Sequence, residues 1–138
     1  MAYRYGSHSV YDLKYHIVFC TKYRYRILTG EVAIRVRSLI RAICKANDVD
    51  IVNGSMSPEH VHLLLSVPPQ LSVSKIVQYI KGKSSRIVLE EFSHIPTRYG
   101  SGSQHLWTRG YFGVTVGNVT AEEIQRYIEQ QDKRQPTG

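Results

Sequence analysis

Apolar side chains recur along this chain with two different periods, and the periods divide it into elements. From Tyr11 to Cys20 the run is rich in Tyr, Val, Ile and Phe, a strand composition, and it ends in a basic, turn-like segment before Gly30. Between Glu31 and Asn47, Val32, Val36, Leu39, Ile40 and Ile43 fall at intervals of three and four, the period of a helix laid on a core. Asp48 to Met56 and His60 to Val67 read as two strands of a hairpin, joined at Ser57-Pro58 because proline interrupts a ladder and sets a tight bend. Ser72 caps a second helix with Val73, Ile76, Val77, Ile80, Ile87 and Val88 on one side; Gly82 weakens it without breaking it. The stretch from Ser93 to Gln104 reads as a surface loop, and Leu106 to Val116 resumes strand composition. A hinge over 117–119, with Gly117 and Asn118, precedes a last helix over about 120–134, where Thr120 and Glu123 match a capping box.

The order is strand, helix, strand, strand, helix, strand, helix. It predicts an α+β fold, a ferredoxin-like or RRM-like antiparallel sheet with helices on one face and a further C-terminal helix carrying a tyrosine. With 138 residues, 42% of them hydrophobic, the chain has material for one core, so a single domain over 1–138 is expected. No apolar run approaches the roughly 20 residues of a membrane span, and the start lacks a signal-peptide core, which predicts a cytoplasmic protein with no membrane partner. Cys20 and Cys44 lie within apolar patterns and read as buried, reduced thiols.

Charge changes the picture. Eighteen Lys and Arg against 11 Asp and Glu leave a net charge of +7, which suggests a polyanionic partner. Lys22, Arg24 and Arg26 alternate with Tyr23 and Tyr25, and Arg37, Arg41 and Lys45 recur at helical spacing. Lys75, Lys83 and Arg86 add basic positions on the second helix. Mixed basic and aromatic surfaces suit single strands, since cations track phosphates while rings stack on unpaired bases. A solvated basic face is the alternative reading of each cluster.

His60 and His62 flank Val61 in a predicted strand, so both imidazoles share a face, about 6–7 Å apart at Cβ, and can converge on one ion. Taken alone, the pair also reads as one hydrogen-bonded sheet histidine and one incidental neighbour. In the last helix Ile124, Tyr127, Ile128 and Gln131 stand at i, i+3, i+4 and i+7, which puts a phenol and an amide within the stripe that faces the protein. By themselves Tyr127 and Gln131 also read as an ordinary packed aromatic and a polar helix edge.

Together these segments resemble a known family. Ser57-Pro58-Glu59-His60-Val61-His62-Leu63-Leu64-Leu65 is similar to the HUH motif (His, hydrophobic, His) of the small one-tyrosine transposases that move insertion sequences as single-stranded DNA. Tyr15-His16-Ile17-Val18-Phe19-Cys20-Thr21-Lys22-Tyr23-Arg24 resembles the family's first strand, and Leu106-Trp107, Tyr111 and Thr115-Val116 its later ones. Tyr127-Ile128-Glu129-Gln130-Gln131 is similar to its Tyr-x-x-x-Gln helix. The resemblance implies that His60, His62 and Gln131 bind a metal, that Tyr127 is the catalytic nucleophile, and that the substrate is single-stranded DNA marked by a hairpin. Neutral ligands with one hard amide oxygen suit octahedral Mg or Mn. A homodimer is expected because two ends must be cut and each chain offers one nucleophile, with sites shared in trans through the hinge. The rival readings are a non-catalytic nucleic-acid-binding module, for which no RNP aromatic pattern is present, and a domesticated relative that processes repetitive hairpins.

Overall fold

The computed structural model describes residues 3–6, 8–95, 105–116 and 121–131. In chain order the elements are β1 (Arg4–Tyr5), β2 (Val10–Tyr11), β3 (Lys14–Cys20), α1 (Gly30–Ala46), β4 (Asp50–Ser57), β5 (His60–Ser66), α2 (Val73–Glu91), β6 (Phe112–Thr115) and α3 (Ala121–Glu129). Four strands form one antiparallel sheet in the order β4-β5-β3-β6, which is the ferredoxin-like arrangement expected from the sequence.

The sheet's two faces separate by the two-residue strand period. Ile17 and Phe19 of β3 and Val61, Leu63 and Leu65 of β5 are buried against α1 and α2 in the main core. The apolar stripe of α1 (Val32, Val36, Leu39, Ile40, Ile43) and that of α2 (Ile76, Val77, Ile80, Val88) close this side. The intervening side chains, His16 and Val18 on β3 and His60, His62 and Leu64 on β5, belong to the opposite face. Part of that face is covered by α3, whose Ile128 is buried with Val18 and Cys20. Ser72 accepts from the Lys75 backbone N–H at 3.1 Å, the cap that its position implies.

Two expected strands are shorter than their composition suggests. The run from Tyr11 is broken at Asp12-Leu13: β2 pairs with β1 as a separate small sheet, and β3 begins at Lys14. Arg4 ties that hairpin down through Asp48, at 3.0 Å, and the Ser66 carbonyl. Within Leu106 to Val116, Trp107 makes only an isolated bridge to Thr21, Gly110 turns through a φ of +86°, and the ladder resumes at Phe112. Trp107 is the reason this segment stays at the end of β3, because its ring meets Phe19 edge-on and its Nε1–H donates to Ser84 Oγ at 2.9 Å. The last helix is shorter than expected, ending at Glu129 with Gln130 in a turn and Gln131 in a bend; the expected hinge at 117–119, the Thr120 cap and residues 132–134 lie outside the described residues, as do 96–104 of the expected loop.

Candidate active site

The strand period sets His60 and His62 on one face of β5, as expected, with Val61 between them pointing into the core. Each imidazole has a polar neighbour. Nδ1 of His60 lies 2.6 Å from Ser57 Oγ, which also accepts from the His60 backbone N–H at 3.2 Å, so the turn before β5 fixes this ring. Nε2 of His62 lies 3.1 Å from Nδ1 of His16 on the neighbouring strand. Burial lowers the pKa of both His60 and His62 below the ordinary 6.5, chiefly by desolvating the imidazolium; Glu59 opposes this at His60, and His16 adds to it at His62. Both rings are therefore neutral at pH 7, the form in which an imidazole can ligate a cation.

Tyr127 stands on α3 over the same sheet face. It packs with Val18, Cys20 and Ile128, and its ring lies 5.5 Å from that of Phe112. Cys20 pairs across the ladder with His60, and Val18 with His62, so the tyrosine helix sits on the strand adjoining the two histidines. Burial raises the phenol to about 12, with a smaller contribution from Cys20, whose own thiol desolvation pushes up to about 11. Gln131, one turn on, donates through Nε2 to the Tyr127 carbonyl at 3.1 Å and turns Oε1 toward the Thr108 hydroxyl at 3.4 Å. Its amide oxygen is thus held near Thr108, at the long limit of a hydrogen bond.

The two imidazoles on one strand face could hold a cation together with oxygen ligands, while the Gln131 amide oxygen is directed at Thr108. Among the described residues no group of three or more His, Cys, Asp or Glu side chains is placed to hold a metal.

The basic residues divide. Arg37, Arg41 and Lys45 are exposed on α1, and Lys75 and Lys83 on α2, whose packing faces lie on the side of the sheet away from the histidines. Arg26 is exposed beyond β3. Arg24 is engaged internally: its guanidinium meets Glu59 at 2.7 Å, with the two side chains 12% and 13% exposed, so it braces the turn before His60. Tyr23 and Arg24 both take left-handed backbone, φ 58° and 54°, an unfavourable choice for bulky residues that this ion pair and the Thr21 hydroxyl bond to the Tyr25 carbonyl hold in place.

Lys22 and Arg86 do come together, at an open groove of about 1040 Å³ between α2 and the 105–111 segment, with Lys81, Arg109, Tyr23 and Tyr111. Sequence reasoning missed Lys81 and Arg109 there, and it missed His16 beside His62. Lys81 lies in the middle of α2 and donates to the carbonyls of Thr108, at 2.8 Å, and Gly110; desolvation lowers it to about 8. A lysine amid apolar helix positions was the available signal.

Within the single chain, α3 seats on its own β3, where Ile128 covers the apolar strip formed by Val18 and Cys20.

Comparison with known proteins adds the family. The sequence profile described as "Transposase IS200 like" matches residues 9–131. The transposase for insertion sequence element IS200 from Salmonella typhimurium is 39% identical over 132 residues, 96% of this chain and 85% of that one. The ISDra2 transposase TnpA from Deinococcus radiodurans is 35% identical over 130 residues, 94% and 91% of the two chains. A crystal structure from Deinococcus radiodurans assigned as a transposase superposes with a TM-score of 0.86 at 34% identity, covering 95% of this chain and 99% of that one. A tyrosine transposase solved bound to a REP hairpin shares the fold, with a TM-score of 0.57 at 14% identity, covering 94% of this chain and 69% of that one. Among the described residues no helix is long and apolar enough to cross a membrane. With the profile spanning nearly the whole chain and the relatives aligned over most of their own length, the protein belongs to the family of IS200-like transposases.

Proposed function

We propose that this transposase cleaves and rejoins single-stranded DNA at hairpin-marked ends, with Tyr127 as nucleophile and His60, His62 and Gln131 as ligands of a Mg or Mn ion. The observation that carries this reading is the convergence on one sheet face of two neutral imidazoles with a phenol on the helix seated beside them. An ion held by these residues would supply charge neutralisation at the scissile phosphate. Tyr127 Oη attacks phosphorus and the bond to the 3′ oxygen breaks. That oxygen takes up a proton, leaving a 5′-phosphotyrosine and a free 3′-hydroxyl. Bond energy is retained, so the 3′-hydroxyl of another end can attack the phosphotyrosine and release the tyrosine without a nucleotide cofactor. The groove beside Thr108 supports a single-stranded partner, since Lys22, Arg86 and Arg109 suit phosphates and Tyr23 and Tyr111 suit unpaired bases.

A homodimer follows from the chemistry, because two ends must be cut and each chain carries one such tyrosine. Trans sharing requires α3 to leave its seat. Undocking uncovers Ile128 together with Val18 and Cys20 beneath it, so it costs at least about 3 kcal/mol of apolar burial, which an equivalent surface on a partner would recover.

The test is incubation of the protein with single-stranded DNA from the flanks of its gene, with Mg, with Mn or with chelator, read on a denaturing gel. The expected result is a covalent adduct that needs the ion and is lost in the double variant His60→Ala, His62→Ala. Full cleavage by that variant in chelator would exclude the metal assignment, and equal cleavage of fully paired DNA would exclude single-strand specificity.

A further inference from the structure

We propose that His16 is a positioning residue for His62, accepting the His62 Nε2–H and so reserving the His62 Nδ1 lone pair for the divalent ion. The inference rests on the metal-dependent reading above. His16 stands opposite Leu64 in the β3–β5 ladder and His62 opposite Val18, so the two rings meet diagonally across adjacent strands on one face. Their centroids are 5.3 Å apart with planes tilted by 43°, and Nδ1 of His16 is 3.1 Å from Nε2 of His62. At that distance one nitrogen donates and the other accepts.

The direction follows from the valence of imidazole. If His62 Nε2 accepted, the neutral ring would carry its proton on Nδ1 and keep no lone pair for a cation. If His62 Nε2 donates, Nδ1 is the free donor atom. His60 admits the same scheme in mirror form: if its Nδ1–H is donated to Ser57 Oγ, 2.6 Å away, its Nε2 keeps the lone pair. Each ring then has one nitrogen anchored by the protein and one left for the ion, the arrangement that fixes tautomer and raises ligand basicity in metal sites. His16 is a positioning residue and not a further ligand, because among the described residues no three His, Cys, Asp or Glu side chains are placed to hold one ion.

The test uses the full chain and Mn(II) alone as probe, with nitrogen-15 NMR of the histidine rings in the ion-free protein. The expected spectrum has His62 protonated at Nε2, and His16→Leu weakens Mn(II) binding by about 10–100-fold. His16→Gln, whose Oε1 can still accept, restores most of it. A His62 protonated at Nδ1 in the unaltered protein would overturn the proposal whether or not the variants fold. So would equal Mn(II) affinity in His16→Leu, equal losses in Leu and Gln, or three imidazoles counted on the ion by pulsed EPR. Failure of the unaltered protein to bind Mn(II) would overturn the metal reading and the ligand role of His62 with it, whereas normal binding by His16→Leu would remove His16 alone.

Discussion

Replacing Tyr127 by Phe separates packing from chemistry, and the structure sets the size of each effect. The ring is half buried against Val18, Cys20, Ile128 and Phe112, contacts that Phe keeps, and the hydroxyl makes no hydrogen bond among the described residues. Folding stability should therefore change by no more than about 0.5 kcal/mol. Chemistry should vanish, because the variant has no oxygen to bond to phosphorus. The raised phenol pKa gives a second magnitude. Shifting it from 10 to about 12 disfavours the phenolate by about 3 kcal/mol, leaving about one molecule in 10⁵ ionised at pH 7 without assistance. The sign for stability follows: the neutral phenol is the folded-state form, so its contribution is present below pH 10 and lost as pH rises through about 12. For activity the reverse holds, and adduct formation should rise with pH until deprotonation by the ion or a nearby base takes over. The assay is a denaturing gel for the covalent adduct, with thermal unfolding and DNA binding measured on the same samples. An adduct formed by Tyr127→Phe, or one mapped to Tyr111, would refute the nucleophile assignment. A loss of more than about 2 kcal/mol in stability would refute the packing argument.

Three further outcomes are expected. Acid should suppress metal-dependent cleavage: His60 and His62 titrate below the ordinary 6.5, so activity persists through pH 7 and falls below that value, and the stability that comes from holding them neutral is lost over the same window; a pH profile flat to pH 4.5 would contradict this. Arg24→Met should destabilise the fold by about 3 kcal/mol in denaturant melts, because it leaves the Glu59 carboxylate nearly buried without its cation; a change under about 1 kcal/mol would show the pair to be dispensable. Mixing Tyr127→Phe chains with His60→Ala, His62→Ala chains should restore cleavage if sites are shared between subunits. No recovery despite demonstrated heterodimers would assign the cis arrangement to the active enzyme, and a monomer that excises fully would remove the dimer.

The elements and the pairing of His60 with His62 were legible in the sequence because they depend on local periods. A two-residue repeat puts both imidazoles on one face of β5 wherever that strand lies, and the three-and-four spacing of α1 and α2 specifies which sides they bury. Tyr127 was legible on the last helix for the same reason, whereas Gln131 falls just past its end at Glu129. The long strand from Tyr11 was misjudged because aromatic and β-branched composition does not mark where a ladder stops. Here β2 pairs with β1, and the main sheet starts at Lys14. What only tertiary structure decided are the contacts between residues far apart in the chain. His16 lies 46 positions from His62 and meets it through strand register. Arg24, a basic residue suited to DNA by its sequence neighbours, is claimed by Glu59 35 positions away. Lys81 reaches Thr108 and Gly110 from a helix interior. The seat of α3 on Val18 and Cys20 likewise depends on which apolar strip the sheet leaves uncovered, a property of the assembled face that no single segment encodes.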